Sequence, residues 1–226
     1  MSQSSRVLGI LQLYCTPQML AGSVSNPATF SFPTICRRVP GASVNNVVFG
    51  AVDDQLEVEF VSTAKRLLRD GAVAITTNCG FMIKYQRAVA QELSVPVSMS
   101  SLLLLPYLIE TIKGRVGIVT FDSRPLTLDL LRLAGVESHD RIAVVGIENS
   151  ETWRVMSEPE NSTTASKMIE DLLAAIALMR KRHDGVEAIL FECAGFTAVA
   201  QDVRKQTRLP VYDAVSNANL LMSGIC

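Results

Sequence analysis

Gly71-Ala-Val-Ala-Ile-Thr-Thr-Asn-Cys79-Gly-Phe81 and Gly185-Val-Glu-Ala-Ile-Leu-Phe-Glu-Cys193-Ala-Gly-Phe196 repeat one another. In both, Ala-Ile begins three residues after the glycine and a cysteine stands eight residues after it. The match extends outward. Pro96, in Val95-Pro-Val97, lies seventeen residues beyond Cys79, and Pro210, in Leu209-Pro-Val211, lies seventeen beyond Cys193. A helical pattern precedes each glycine, over Leu56 to Asp70 and over Ser166 to Asp184. Arg6-Val-Leu-Gly-Ile-Leu11 and Arg115-Val-Gly-Ile-Val-Thr120 form a weaker third match. An internal repeat of this kind means two copies of one supersecondary unit.

Val73 to Thr77 and Ala188 to Phe191 are short apolar runs behind a glycine, which reads as buried parallel strand. Met82 to Leu93 and Thr197 to Thr207 have the spacing of amphipathic helices. Each cysteine then sits at the carboxyl end of a strand, just before a helix. Open α/β sheets bind ligands at that end. Helix N-termini offer unpaired N–H groups and a positive dipole end, which lower a thiol pKa. Both cysteines are therefore expected to form thiolates, although a single cysteine at a strand end is more often buried filler. The retention of both in a repeat favours function. Cys15, Cys36 and Cys226 have no such pairing and read as ordinary thiols.

Composition narrows the field. The 226 residues are 48% apolar and 19% charged, enough to bury a core, so disorder is excluded. Lys+Arg 21 against Asp+Glu 22 leaves net −1, with no basic surplus for nucleic acid. Leu102 to Leu105, the nearest thing to a membrane segment, stops at Pro106. The polar start before Arg6 reads as the approach to a first strand, not as a signal peptide, and the cytoplasm is the expected compartment. The odd cysteine count argues against a disulfide framework. There is no CxxC, and His139 and His183 stand far from any cysteine, so a zinc cage is not expected. No lysine has a Schiff-base setting and no GxGxxG occurs, so the expected chemistry needs no cofactor.

Two thiols facing each other across a cleft suit two-base proton transfer. One thiolate removes a proton from a carbon and the opposite thiol delivers one to the other face. The enolate-like intermediate needs preorganised donors. The backbone N–H groups of Gly80, Phe81, Ala194, Gly195 and Phe196 are candidates, though the glycines also fit ordinary turns.

These cysteine-bearing strand ends resemble those of the aspartate/glutamate/hydantoin racemase superfamily. The loop Gly22-Ser-Val-Ser-Asn26-Pro27-Ala-Thr29-Phe-Ser-Phe32-Pro33, followed by Pro40-Gly41-Ala42, resembles one subgroup of it. The resemblance covers most of the chain. It implies an α/β fold of two pseudo-symmetric lobes with parallel sheets and the active site in the cleft between them. It also implies a small-molecule substrate, a homodimer or higher homo-oligomer, and a C-terminal segment that crosses back. The lobes would be residues 1–112 with 207–226, and residues 113–206; from the residues alone the lobes read as sequential. Gly80-Phe81 and Ala194-Gly195 stand where glutamate and aspartate racemases have Asn-Thr and Thr, whereas Cys193-Ala-Gly195 is closer to the hydantoin racemases.

The expected site is therefore Cys79 and Cys193 as alternating acid and base. Asn26, Thr77, Asn78, Gly80, Phe81, Thr120, Ser123, Ala194 and Gly195 are the candidate substrate contacts. Asn78 and the threonines also fit bonds to their own backbone. Asp122 reads as a helix cap, His139 as surface and Trp153 as packing, while Glu192 fits either a carboxylate turned to solvent or one that hydrogen-bonds the ring or amine of a substrate. The expected activity is racemisation or epimerisation next to a carboxylate or amide. A decarboxylase, a maleate-type isomerase and a binding protein without turnover are the alternatives.

Overall fold

A computed structural model describes residues 6–14, 20–158 and 163–225. Cys15 and Cys226 lie outside them. The first half runs β1 (Val7–Gln12), β2 (Thr34–Arg38), α1 (Asp54–Arg69), β3 (Ala72–Thr77) and α2 (Gln86–Glu92), then α3 (Leu105–Thr111). The second runs β4 (Arg115–Thr120), α4 (Leu128–Arg132), β5 (Ile142–Gly146), α5 (Glu151–Ser157), α6 (Ala165–Arg182), β6 (Val186–Phe191), α7 (Ala200–Thr207), β7 (Val211–Tyr212) and α8 (Ala214–Ser223).

Two parallel sheets result, ordered β2-β1-β3 and β5-β4-β6-β7. A parallel bridge from Ile75 to Val97 gives the first sheet a rudimentary counterpart of β7. The repeat reaches the detail of register. Leu8 lies opposite Ala74 and Val116 opposite Ala188, and each central strand shifts register one residue earlier, at Val7/Leu8 and at Arg115/Val116. The chain is α/β with two pseudo-symmetric lobes.

The long helices follow local rules. Asp53 caps α1 by accepting from the Leu56 N–H at 2.7 Å, with Asp54 and Glu57 in the first turn and Arg66 and Arg69 in the last. Thr164 caps α6, which ends on Arg180, Lys181 and Arg182. Gly71 and Gly185, between helix and strand, have φ of +98° and +72°, a conformation that disfavours side chains and explains why both copies carry glycine.

The lobes interlock. Beyond the Val97 bridge the chain leaves the first sheet, and α3 packs on β4, with Leu105 and Leu108 in one core with Val116 and Ile118. Beyond β7 the chain returns, and α8 packs on β3, with Ala214, Ala218 and Met222 beside Leu8, Ile10 and Ala74. The return thus falls after Tyr212, since β7 still pairs with β6. Buried hydrogen bonds close both crossings. The Ser101 hydroxyl donates to the Phe191 carbonyl at 2.7 Å, and the Asn217 amide donates to the Ser98 hydroxyl at 2.7 Å.

Candidate active site

Both cysteines stand where a strand gives way to a 3₁₀ segment, Gly80–Tyr85 after Cys79 and Ala194–Val199 after Cys193. Each of these runs on into α2 or α7. The expected α-helices therefore begin with tighter turns of three residues. The Met82 N–H bonds the Cys79 carbonyl and the Phe196 N–H bonds the Cys193 carbonyl, each at 3.1 Å. Cys79 is buried, Cys193 is partly buried, and neither is disulfide-bonded. Cys36 is exposed on the edge strand β2.

The residue before each cysteine ties it to the neighbouring strand. The Asn78 N–H donates to the Leu11 carbonyl at 3.1 Å, and its side-chain oxygen accepts from the Leu13 N–H at 2.9 Å. At the matching position the Glu192 N–H donates to the Val119 carbonyl at 3.0 Å, and its carboxyl faces the Phe121 N–H. Glu192 is thus turned inward, 1% exposed, which removes the solvent-facing alternative. The physical reason is a vacancy supplied by the other lobe. A Cβ on Gly80 would lie 2.3 Å from the Glu192 carbonyl oxygen and 2.4 Å from its Oε1, so only glycine admits this side chain. Thr120 donates to Glu192 Oε2 at 2.8 Å, and Oε1 has no hydrogen-bond partner.

Burial pushes the Glu192 pKa up to about 7. The Thr120 hydroxyl, the Phe121 and Phe81 amides and the Lys84 ammonium oppose that rise. Burial also pushes the Cys193 thiol well above its ordinary range, and the charges of Glu192 and Cys79 add to the rise. The Gly195 and Phe196 amides pull it down, but less strongly. The expected thiolate at Cys193 is therefore corrected: desolvation outweighs the helix-terminus effect.

Lys84 was not anticipated. Its ammonium donates to the carbonyls of Val47 at 2.8 Å, Val48 at 3.1 Å and Gly50 at 2.8 Å. Burial lowers its pKa, while the charges of Cys79 and Glu192 raise it. The one sequence signal was a lone cation in the apolar run Phe81 to Tyr85.

Gly80, Phe81 and Ala194 are buried together with Cys79, and Gly195 is partly buried beside Cys193. The hydroxyls expected to hold substrate are engaged within the protein. Thr77 donates to the carbonyls of Met99 at 2.7 Å and Cys79 at 3.0 Å. Thr120 bonds Glu192, Ser123 bonds Glu148, and Asn26 caps the turn Pro27–Thr29 by accepting from the Ala28 N–H. Asp122 is not a helix cap, because Thr127 caps α4. Asp122 instead pairs with Arg124, whose hydrogen bonds hold its carboxyl below the usual range. Trp153 stacks on Phe121 with ring centroids 6.0 Å apart. His139 is exposed. Among the described residues no cluster of three or more His, Cys, Asp or Glu is placed to hold a metal ion. No helix among them is long and apolar enough to cross a membrane.

The fold is shared with solved decarboxylases and racemases. Unliganded arylmalonate decarboxylase superposes with a TM-score of 0.62 at 14% identity, covering 98% of this chain and 94% of that one. Allantoin racemase from Klebsiella pneumoniae gives 0.62 at 15% identity, covering 97% and 87%. Aspartate racemase from Picrophilus torridus gives 0.54 at 13%, covering 97% and 94%. In sequence the chain is similar to a dimethylsulfoniopropionate lyase of Durusdinium sp. clade D, 29% identical over 224 residues, covering 96% of this chain and 74% of that protein. Dimethylsulfoniopropionate lyase 7 of Emiliania huxleyi is 28% identical over 228 residues, covering 96% and 67%. No family model matches the chain.

Proposed function

We propose that the chain is an enzyme acting on carbon acids, with Cys79 and Cys193 as its proton-handling pair, and that its reaction is a β-elimination from a sulfonio-carboxylate. One observation carries the first part. The Cys79-Gly80 and Glu192-Cys193 segments, 114 residues apart in the repeat, abut each other, and the two sulfurs lie within electrostatic reach. The similarity to lyases over 96% of the chain supports the second part.

Racemisation and elimination share a first step. A base removes the proton next to a carboxylate, a weak acid whose anion needs preorganised donors. In elimination the C–H electron pair becomes the new C=C bond, and the bond from the β-carbon to sulfur breaks with its pair going to sulfur. Dimethylsulfoniopropionate would give dimethyl sulfide, propenoate and one proton. The backbone amides of Gly80 and Ala194, at the start of each turn, are the candidate donors for that anion, since the nearby hydroxyls and the later amides are occupied. The chemistry needs no cofactor.

Racemisation of an amino acid or hydantoin is the second reading, favoured by the matching placement of two sulfurs in the repeat. Incubation with dimethylsulfoniopropionate and headspace assay of dimethyl sulfide separates the two. Sulfide release, lost in Cys79→Ala and in Cys193→Ala, supports elimination. No release, with inversion of an amino acid or hydantoin, supports racemisation.

A further inference from the structure

The two cysteine turns, residues 78–85 and 192–199, match in backbone course but carry charge at different positions. Position by position, Asn78 corresponds to Glu192 and Lys84 to Ala198. Within these two segments the carboxylate therefore precedes Cys193 and the cation follows Cys79. Neither is incidental. Glu192 fills space left by the missing Cβ of Gly80 and is anchored by Thr120, with Oε1 unpartnered. Lys84 is fixed by three carbonyls and is attracted to the sulfur of Cys79 and the carboxylate of Glu192.

We infer that Glu192 and Lys84 are positioning residues that give the two sulfurs fixed, opposite roles, with the negative charge on Cys79 and the proton on Cys193. This rests on the reading of the two cysteines as the reacting groups. The Cys79 thiolate then takes the substrate proton, becoming a thiol, and afterwards releases that proton to water. Cys193 stays an S–H donor toward the substrate. A racemase working in both directions needs each sulfur in each role, whereas an elimination runs one way and needs only this assignment. The groups facing Glu192 that bear charge or titrate are Lys84 and Cys193, and Cys79 lies beyond Gly80.

The test is the alkylation rate of each cysteine in the intact chain at about pH 8.5, where Glu192 is ionised, with iodoacetamide as probe and peptide mass spectrometry to separate the sites. Only the thiolate reacts. Exposure alone predicts faster labelling of Cys193, because Cys79 is the more buried. The inference predicts the reverse order, Cys79 faster by about tenfold or more. Glu192→Gln keeps the shape and removes the charge, so the ratio falls about tenfold. Lys84→Met slows Cys79 by a similar factor, and Lys84→Arg restores it. Faster labelling of Cys193 in the native chain overturns the inference, as does a ratio that stays unchanged in both charge-removing variants. The readout needs no substrate, so failure of the elimination assay leaves it intact. Conversely, sulfide release by a chain that labels first at Cys193 overturns the polarity alone.

Discussion

Gly80 and Glu192, 112 residues apart, touch so closely that a Cβ on the first would stand 2.3 Å from the carbonyl oxygen of the second. This contact joins the two lobes at their cysteines and holds a carboxyl group out of water.

Gly80→Ala therefore forces that contact apart. Overpacking of this kind costs about 1–3 kcal/mol. In a chain of this size that lowers the Tm by roughly 2–4 °C per kcal/mol. A thermal melt checks it, and a variant melting with the native protein contradicts the close approach.

Glu192 makes stability depend on pH. Its pKa rises from an ordinary 4.5 to about 7 on folding, so between those values the folded chain holds a proton that the unfolded chain has released. The stability this proton confers is complete below 4.5 and is lost as pH rises through about 7, by about 3 kcal/mol in all. Urea midpoints across that window should fall with pH. In Glu192→Gln the part of the decline due to this carboxyl should vanish. Equal slopes in the two proteins contradict the buried carboxyl.

Much of this was legible beforehand, for a physical reason. β3 and β6 carry short apolar runs, Ala72 to Ile75 and Ala188 to Phe191, and repetition singled out Cys79 and Cys193 from five cysteines. β2 escaped notice because it is an edge strand with Arg37 and Arg38 exposed, which leaves no apolar pattern to read. The burial of Glu192 was not legible because a carboxylate belongs in water unless something distant makes room, and Gly80 lies in the other half of the chain. Lys84 has the same cause: its partners are carbonyls of Val47, Val48 and Gly50, which carry no sequence signature. The candidate hydroxyls Thr77, Thr120 and Ser123 stand at or just beyond strand ends, and their bonds are made within the protein.

Lys84→Met strips three carbonyls of their donor. Part-buried acceptors left unsatisfied cost about 1–3 kcal/mol. The loss should be local, so amide exchange should quicken at Val47 and Gly50, whose N–H groups bond Ser43 and Asn45. Unchanged protection there contradicts the clamp.

Cys79→Ser and Cys193→Ser should each lower turnover by about 10²–10⁴, the range for a positioned acid or base. Their urea midpoints should stay close to the native value, since the substitution changes one atom of similar size. A variant that unfolds early and loses activity in proportion would reduce the cysteine to a packing role.

The most direct measurement is proton exchange in heavy water. The chain is incubated with dimethylsulfoniopropionate and with a panel of amino acids and hydantoins, and NMR follows the proton next to the carboxyl or amide carbon together with any propenoate formed. The account predicts loss of that proton signal, by exchange or by elimination, in the native chain and none in Cys79→Ala. A signal that persists on every compound with the native chain, or that disappears equally fast with Cys79→Ala, contradicts it.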